Sequence, residues 1–98
     1  MTPRLFIRDE AAADILLATA WYDEQRDGLG SEYTRAINGQ LAAIERQPRL
    51  FRIVHQDVRH AIVRRFPYAV YFTIQGEQII VIACLHLRRD PTIWHSRR

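Results

Sequence analysis

The first part of the chain alternates apolar and polar residues with a helical period. A short apolar run over Arg4–Arg8 is a candidate strand, and Asp9 after it is a plausible helix cap. The apolar stripe expected to face the core comprises Ala13, Leu16, Leu17, Ala20 and Trp21. Gly28 and Gly30 are stop signals, so this helix is predicted to end near Arg26.

A second helix is predicted directly after these glycines. Ser31 is the expected cap, and Pro48 marks the end of the helix. Its apolar positions, which recur at steps of four, four and three, are Tyr33, Ile37, Leu41 and Ile44. Gly39 in its middle is unfavourable for a helix and suggests a close backbone approach. The short link predicts that the two helices form an antiparallel hairpin.

Beyond Pro48 the pattern changes to that of strands. Phe51–His55 reads as a loop or short edge strand, and Arg59–Phe66 and Ala69–Ile74 are rich in strand-forming residues. Gln78–Leu87 is apolar on both sides, which is typical of a strand at the centre of a sheet. The tight connections between these last three segments predict an antiparallel meander.

The predicted fold is α+β, with the order β-α-α-β-β-β over residues 1–98 as one domain. The helix hairpin should cover one face of an antiparallel sheet and leave the other face open. Asp90 and Pro91 fit an N-cap followed by a first-turn proline, and they predict a short C-terminal helical turn through Trp94.

Composition adds a strong charge asymmetry to this picture. Residues 1–45 carry four arginines against eight acidic residues, a balance of −4, whereas residues 46–98 carry ten arginines against three, a balance of +7. All the basic residues are arginines, whose planar guanidinium groups bind phosphate and carboxylate in a two-pronged manner. A basic half of this kind favours an anionic partner, either nucleic acid or an acidic protein surface.

Cysteine usage and hydropathy restrict the compartment. The single cysteine, Cys84, cannot form an internal disulfide, so a reducing environment is expected. No targeting signal and no run long enough to span a membrane is found, and the sequence therefore predicts a cytoplasmic protein. Cys84 and His86 are two positions apart and so lie on the same face of the predicted strand. No second pair of ligands accompanies them, so no metal or other cofactor is expected.

Three segments in this order resemble the RelE/ParE superfamily of type II toxin–antitoxin toxins, also called plasmid-stabilisation proteins. They are Trp21–Gln25 with Gly28–Gly30, Val58–Arg59 with Arg64–Phe72, and His86–Pro91 with Trp94. The resemblance implies a growth-inhibiting toxin that is held silent by a cognate antitoxin. Within the superfamily, RelE-like members cut messenger RNA in the ribosome without a metal, and ParE-like members poison DNA gyrase.

The two branches imply different roles for the same region. A RelE-like nuclease would use His86 as base or acid, with Arg65 and Arg89 holding the phosphate. A ParE-like toxin would instead bind its target through a basic face. The candidate target-binding residues are Arg59, Arg64, Arg88 and Trp94.

The ParE-like hypothesis, in which the protein binds its target and is not an enzyme, is favoured because the C-terminal segment differs from that of RelE-like nucleases. RelE-like nucleases tend to carry a tyrosine or another general base among lysines and arginines in their C-terminal segment. Residues 92–98 contain no tyrosine, and the chain has no lysine. His86 is then expected to have a structural role, in which its ring orients the following segment by a hydrogen bond to that segment's backbone or to Asp90. The metal-independent ribonuclease and an inert antitoxin-binding module remain as alternatives.

Overall fold

A computed structural model of the protein, which describes residues 4–98, consists of two long helices packed on a five-stranded sheet. The elements in chain order are β1 (Arg4–Ile7), α1 (Asp9–Gln25), α2 (Leu29–Arg46), a 3₁₀ turn (Pro48–Leu50), β2 (Ile53–His55), β3 (Val58–Ile62), β4 (Tyr68–Gln75), β5 (Gln78–His86) and α3 (Thr92–His95).

The sheet has the strand order β1-β5-β4-β3-β2. Strands β3 to β5 form the antiparallel meander that the sequence predicted, β2 adds a short antiparallel edge strand to it, and the α+β class is confirmed. The expectation of a purely antiparallel sheet was wrong, because β1 pairs in parallel with β5 from Arg4↔Gln78 to Ile7↔Val81. The parallel direction lets the chain leave β1 at Ile7 and enter α1, which packs along β5.

Both long helices begin without the caps expected from the sequence. Asp9 is already the first residue of α1, and its carboxylate makes no capping hydrogen bond. Helix α2 starts at Leu29, two residues before Ser31, because Gly28 adopts a left-handed conformation with φ of 87°. Glycine enters that region without steric cost, so the chain reverses within a few residues and the helix hairpin is tight.

The close backbone approach in this hairpin occurs at Gly30 and not at Gly39. A Cβ atom added to Gly30 would lie 2.7 Å from both the Asp23 carboxyl group and the carbonyl oxygen of Thr19. The Gly30 N–H also donates a hydrogen bond of 2.8 Å to the Asp23 carboxylate, which therefore joins the two helices. Gly39 has open space around it, so the close approach expected there is wrong.

Helix α1 is rotated away from the predicted orientation. It buries Ala11 and Ala18 and half-buries Ile15 and Tyr22, whereas the stripe expected in the core faces solvent. Small alanine side chains allow α1 to lie close to the sheet, which leaves the larger leucines on the outside. Helix α2 follows the prediction more closely, with Tyr33, Ile37 and Ile44 buried and Leu41 partly so.

Each face of the sheet has its own apolar cluster. The cluster under the helices includes Tyr33, Ile37, Val70, Phe72 and Val81. The cluster on the opposite face consists of Val58, Ala69, Tyr71, Ile82, Ala83, Leu85 and Trp94. The second face was predicted to be open, but the α3 segment covers part of it, because the Trp94 ring stacks on Tyr71 with 4.4 Å between centroids.

The α3 segment is fastened at several points along its length. Asp90 accepts a hydrogen bond of 3.0 Å from the Thr92 N–H, as expected for a residue before a helix start. The His95 ring stacks on His55 of β2 at 3.7 Å between centroids.

No helix within residues 4–98 is long and apolar enough to cross a bilayer.

Candidate partner-binding surface

A groove runs between α1 and the last turn of β5, and we call it the α1–β5 groove. It encloses about 190 Å³. Its lining combines apolar, aromatic and charged side chains: Asp14, Leu17, Ala18, Trp21, Tyr68, Cys84, Leu85, His86 and Arg89. The groove exists because β1 pairs only as far as Val81, so that the remainder of β5 has no neighbouring strand on that side.

One wall of the groove continues into an exposed apolar stripe on α1. This stripe consists of Ala13, Leu16, Leu17, Ala20 and Trp21, which lie on one side of the helix. Leu16 is 70% exposed, Leu17 73% and Trp21 54%. Exposed apolar patches on soluble proteins often belong to interaction surfaces. The residues that sequence reasoning placed in the core are thus the candidates for partner binding.

The floor of the groove is closed by a buried polar cluster. The backbone N–H of Cys84 donates to the Asp14 carboxylate at 3.0 Å, and the Cys84 sulfur lies 3.4 Å from the Tyr33 hydroxyl. Burial raises the pKa of Cys84 to about 11 and also raises that of Tyr33. Both groups are therefore protonated near neutral pH and act as structural elements of the floor.

Arg97 joins the same cluster from the segment after α3. Its guanidinium group binds the Asp14 carboxylate with both nitrogens, at 2.5 and 3.3 Å, and also donates to the Ile82 carbonyl at 3.3 Å. The Arg8 side chain donates to the carbonyl oxygen of Arg97. These contacts connect α1, β5 and the α3 segment beneath the groove.

His86 lies on the helix side of the sheet and not on the opposite face. Its Nδ1 accepts a hydrogen bond of 3.0 Å from the backbone N–H of Arg88. This hydrogen bond fixes the orientation of the ring relative to the turn after β5. The Tyr68 ring meets His86 edge-on with 5.4 Å between the ring centroids, and burial raises the pKa of the Tyr68 phenol.

A second groove lies between α2 and the turn that connects β3 to β4, and we call it the arginine groove. It is wide open, at about 650 Å³, and is lined by Glu32, Arg35, Ala36, Arg64 and Arg65. Arg65 forms an ion pair with Glu32 at 2.8 Å, and Arg26 contacts the other oxygen of the same carboxylate at 3.0 Å. These two guanidinium groups lower the pKa of Glu32.

The structure divides the predicted catalytic residues between the two grooves. His86 and Arg89 both line the α1–β5 groove, whereas Arg65 belongs to the arginine groove and is paired with Glu32. Among the described residues, no group of three or more histidine, cysteine, aspartate or glutamate side chains is arranged for metal binding.

The predicted target-binding residues are also dispersed. Arg64 and Arg88 are exposed. Arg59 instead donates to the carbonyl oxygens of Arg49 and Phe51, at 3.1 and 2.8 Å, and so fixes the chain before β2. Trp94 is only 6% exposed, so in this conformation its ring packs on the sheet and offers little surface to a partner.

Sequence reasoning missed Tyr68, Leu17 and Trp21 as groove residues. Tyr68 begins β4 and pairs with His86 of β5, and this register follows from the tight Gln75–Gln78 connection. That pairing was available in principle from the sequence. The position of Leu17 and Trp21 was not, because apolar residues occur on all sides of α1 and leave its rotation undetermined.

Comparison with known proteins agrees with this architecture. The family model described as "ParE toxin of type II toxin-antitoxin system, parDE" matches residues 5–91. A solved structure titled "Chromosomal ParDE TA system from P. aeruginosa" superimposes with a TM-score of 0.78 at 17% sequence identity, covering 87% of this chain and 96% of that chain. No match was found among curated protein sequences. The family match spans nearly the whole chain, which therefore belongs to the ParE toxin family of type II toxin–antitoxin systems.

Proposed function

We propose that this toxin arrests growth by binding DNA gyrase, and that a cognate antitoxin neutralises it by covering the α1–β5 groove. The observation that carries the proposal is the ParE family match over residues 5–91. The family assignment supports the gyrase-type branch over the ribonuclease branch of the wider superfamily.

The geometry around His86 supports a binding role over catalysis. Metal-independent RNA cleavage needs a base, an acid and cations that surround one phosphate. The Nδ1 atom of His86 is engaged by the Arg88 N–H, and Arg65 opens onto the other groove. Burial raises the pKa of the nearby Tyr68 phenol above its ordinary value, which moves this group further from the range that suits a general base.

The antitoxin surface is supported by the apolar stripe of α1. Leu16, Leu17 and Trp21 present a row of large apolar side chains to solvent, and Arg88 and Arg89 lie exposed at the end of β5. An amphipathic antitoxin segment with acidic flanks fits this combination, because its apolar side would bury the stripe and its carboxylates would meet the arginines.

The test is controlled expression of the full chain alone, with growth, plasmid supercoiling, DNA damage and bulk messenger RNA integrity followed in parallel. We expect growth arrest with altered supercoiling or DNA breaks and with intact messages. In a purified system, the protein should inhibit the supercoiling of plasmid DNA by gyrase. Co-expression with the cognate antitoxin should restore growth.

A His86→Ala variant, compared with the wild type in the same assays, separates target binding from ribonuclease activity. If the toxin only binds its target, the variant keeps its toxicity as long as circular dichroism shows it folded. Fragmented messages in the wild type, together with a folded but harmless His86→Ala protein, would instead establish the ribonuclease reading. A folded wild-type chain that causes no arrest would leave only the antitoxin-binding module.

A further inference from the structure

The arginine groove has a chemistry unlike that of the α1–β5 groove. Its lining contains three arginines, one glutamate and one alanine, and no large apolar side chain. Arg26 adds a further positive charge through its ion pair with Glu32. A peptide segment seated there would contact the guanidinium groups and the aliphatic stems of the arginines, and would find no large apolar side chain to pack against.

Arg65 is the arginine of this groove whose side chain is fixed by the most contacts. Its backbone φ is 71°, which is uncommon for a residue with a side chain, and its guanidinium donates a hydrogen bond of 2.8 Å to Glu32. The same guanidinium carbon lies 5.7 Å from the centre of the Phe66 ring. A planar guanidinium held by an aromatic ring keeps donor directions free for a further anion.

Glu32 occupies the position that an external anion would take. Its two oxygens contact Arg65 and Arg26 separately, so one carboxylate bridges two guanidinium groups. The two arginine side chains are 60% and 67% accessible, whereas the Glu32 side chain that they share is 27% accessible. Ion pairs near the surface contribute little stability and weaken as salt is added.

We propose that the arginine groove binds the phosphate backbone of a nucleic acid without reading its sequence, and that Glu32 is an internal competitor that weakens this binding. Arg35, Arg64 and Arg65 contact the phosphates, and Arg26 becomes available when Glu32 is displaced. A polyanion with regularly spaced charges fits a wide groove that has arginines but no aromatic stacking platform in its lining. The inference needs neither gyrase nor an antitoxin.

The test measures binding of the purified full chain to fluorescently labelled oligonucleotides of mixed sequence over a series of salt concentrations. Duplex DNA and single-stranded RNA of equal length are compared, because both supply the same phosphodiester chemistry. Arg35→Ala and Arg65→Ala should each weaken binding and reduce the slope of log K against log salt by about 1. Single-stranded DNA of the same length separates the effect of the sugar from that of strandedness. Tighter binding of the single-stranded RNA than of this DNA strand would identify RNA as the source of the phosphates, and tightest binding of the duplex would identify duplex DNA.

Glu32→Gln is the decisive variant, because it should tighten binding by roughly fivefold at low salt. Glu45→Gln removes the same charge from an exposed position near the other end of α2, and Arg49→Ala removes an exposed arginine outside the groove. Both controls should stay close to the wild type in affinity, and circular dichroism verifies that every variant is folded.

The proposal is overturned if Glu32→Gln binds no more tightly than Glu45→Gln, or if Arg65→Ala behaves like Arg49→Ala. It is also overturned if a polyglutamate peptide displaces the labelled oligonucleotide as effectively as unlabelled oligonucleotide does, since an acidic protein segment would then be the occupant. None of these outcomes depends on growth arrest, so the gyrase proposal and this one fail separately.

Discussion

At the scale of single residues, Asp14 is the clearest case of a role that the sequence does not reveal. In the sequence it is one acidic residue within an alanine-rich helix. In the structure its carboxylate is only 9% exposed and accepts hydrogen bonds from the Cys84 N–H and from Arg97, a residue 83 positions later. No local pattern links residues so far apart, because the contact depends on the route of the chain after β5.

The buried ion pair gives a residue-scale prediction about stability. Arg97→Ala would leave the Asp14 carboxylate largely buried with one backbone donor, and we expect it to lower the free energy of unfolding by about 3 kcal/mol. Arg98→Ala is the matched control, because its ion pair with Asp57 lies at the surface, with side chains 41% and 47% exposed. Urea denaturation should show a small effect for Arg98→Ala. Equal losses for the two variants would contradict the assignment.

Cys84 gives a residue-scale prediction about pH. Burial raises the pKa of its thiol from 9.0 to about 11, so folding favours the protonated form. The corresponding stability is fully present below the ordinary pKa and is lost as the pH rises through about 11. Alkylation by iodoacetamide should therefore be slow in the native protein at about pH 8 and fast in denaturant. A native rate equal to the denatured rate would mean that the thiol is accessible.

At the scale of elements, the sequence predicted which segments are helices and strands better than it predicted how they face each other. The helix hairpin, the meander and the short α3 were all anticipated, since each has its own periodicity or turn residues. The rotation of α1 and the parallel pairing of β1 were not. Both depend on tertiary packing, in which Ala11 and Ala18 allow a close approach that Leu16 and Leu17 would prevent.

The exposed stripe of α1 gives an element-scale prediction about partner binding. Leu17→Glu should leave the free toxin as stable as the wild type, because the side chain is 73% exposed, and should prevent co-purification with the cognate antitoxin. Leu50→Glu is the matched control, since Leu50 is 75% exposed but lies in the 3₁₀ turn after α2. Retained antitoxin binding by Leu17→Glu would show that the interface lies elsewhere.

At the scale of the whole molecule, the two grooves separate two kinds of chemistry on one small fold. The apolar α1–β5 groove suits a protein segment, whereas the arginine groove suits a polyanion. The charge asymmetry along the sequence indicated an anionic partner but could not locate it, because Glu32 from the acidic half lies among arginines from both halves. The +7 half is thus distributed over several surfaces, and Arg59 within it is occupied with backbone carbonyls.

The second apolar cluster, on the face of the sheet opposite the long helices, gives a prediction about the stability of the whole molecule. Trp94 of the four-residue helix α3 covers this cluster. Trp94→Ala would remove the ring that stacks on Tyr71 and expose the far face of the sheet, at a cost of about 3–5 kcal/mol. That is a large share of the stability of a domain this size, so Tm should fall by at least about 12 °C.

Trp21→Ala is the matched control for this change, since it deletes the same side chain from a position that is 54% exposed. We expect Trp21→Ala to unfold near the wild-type temperature when both variants are followed by far-ultraviolet circular dichroism. In Trp21→Ala, in which Trp94 is the one remaining tryptophan, the emission should shift to the red in the same transition that melts the helices, because the Trp94 pocket is built from β3, β4 and β5 together. If Trp94 became exposed at a temperature where the helices persist, α3 would be a separately opening lid over the sheet. The fold would then not need the cover that Trp94 provides, and the predicted loss of stability in Trp94→Ala should be absent as well.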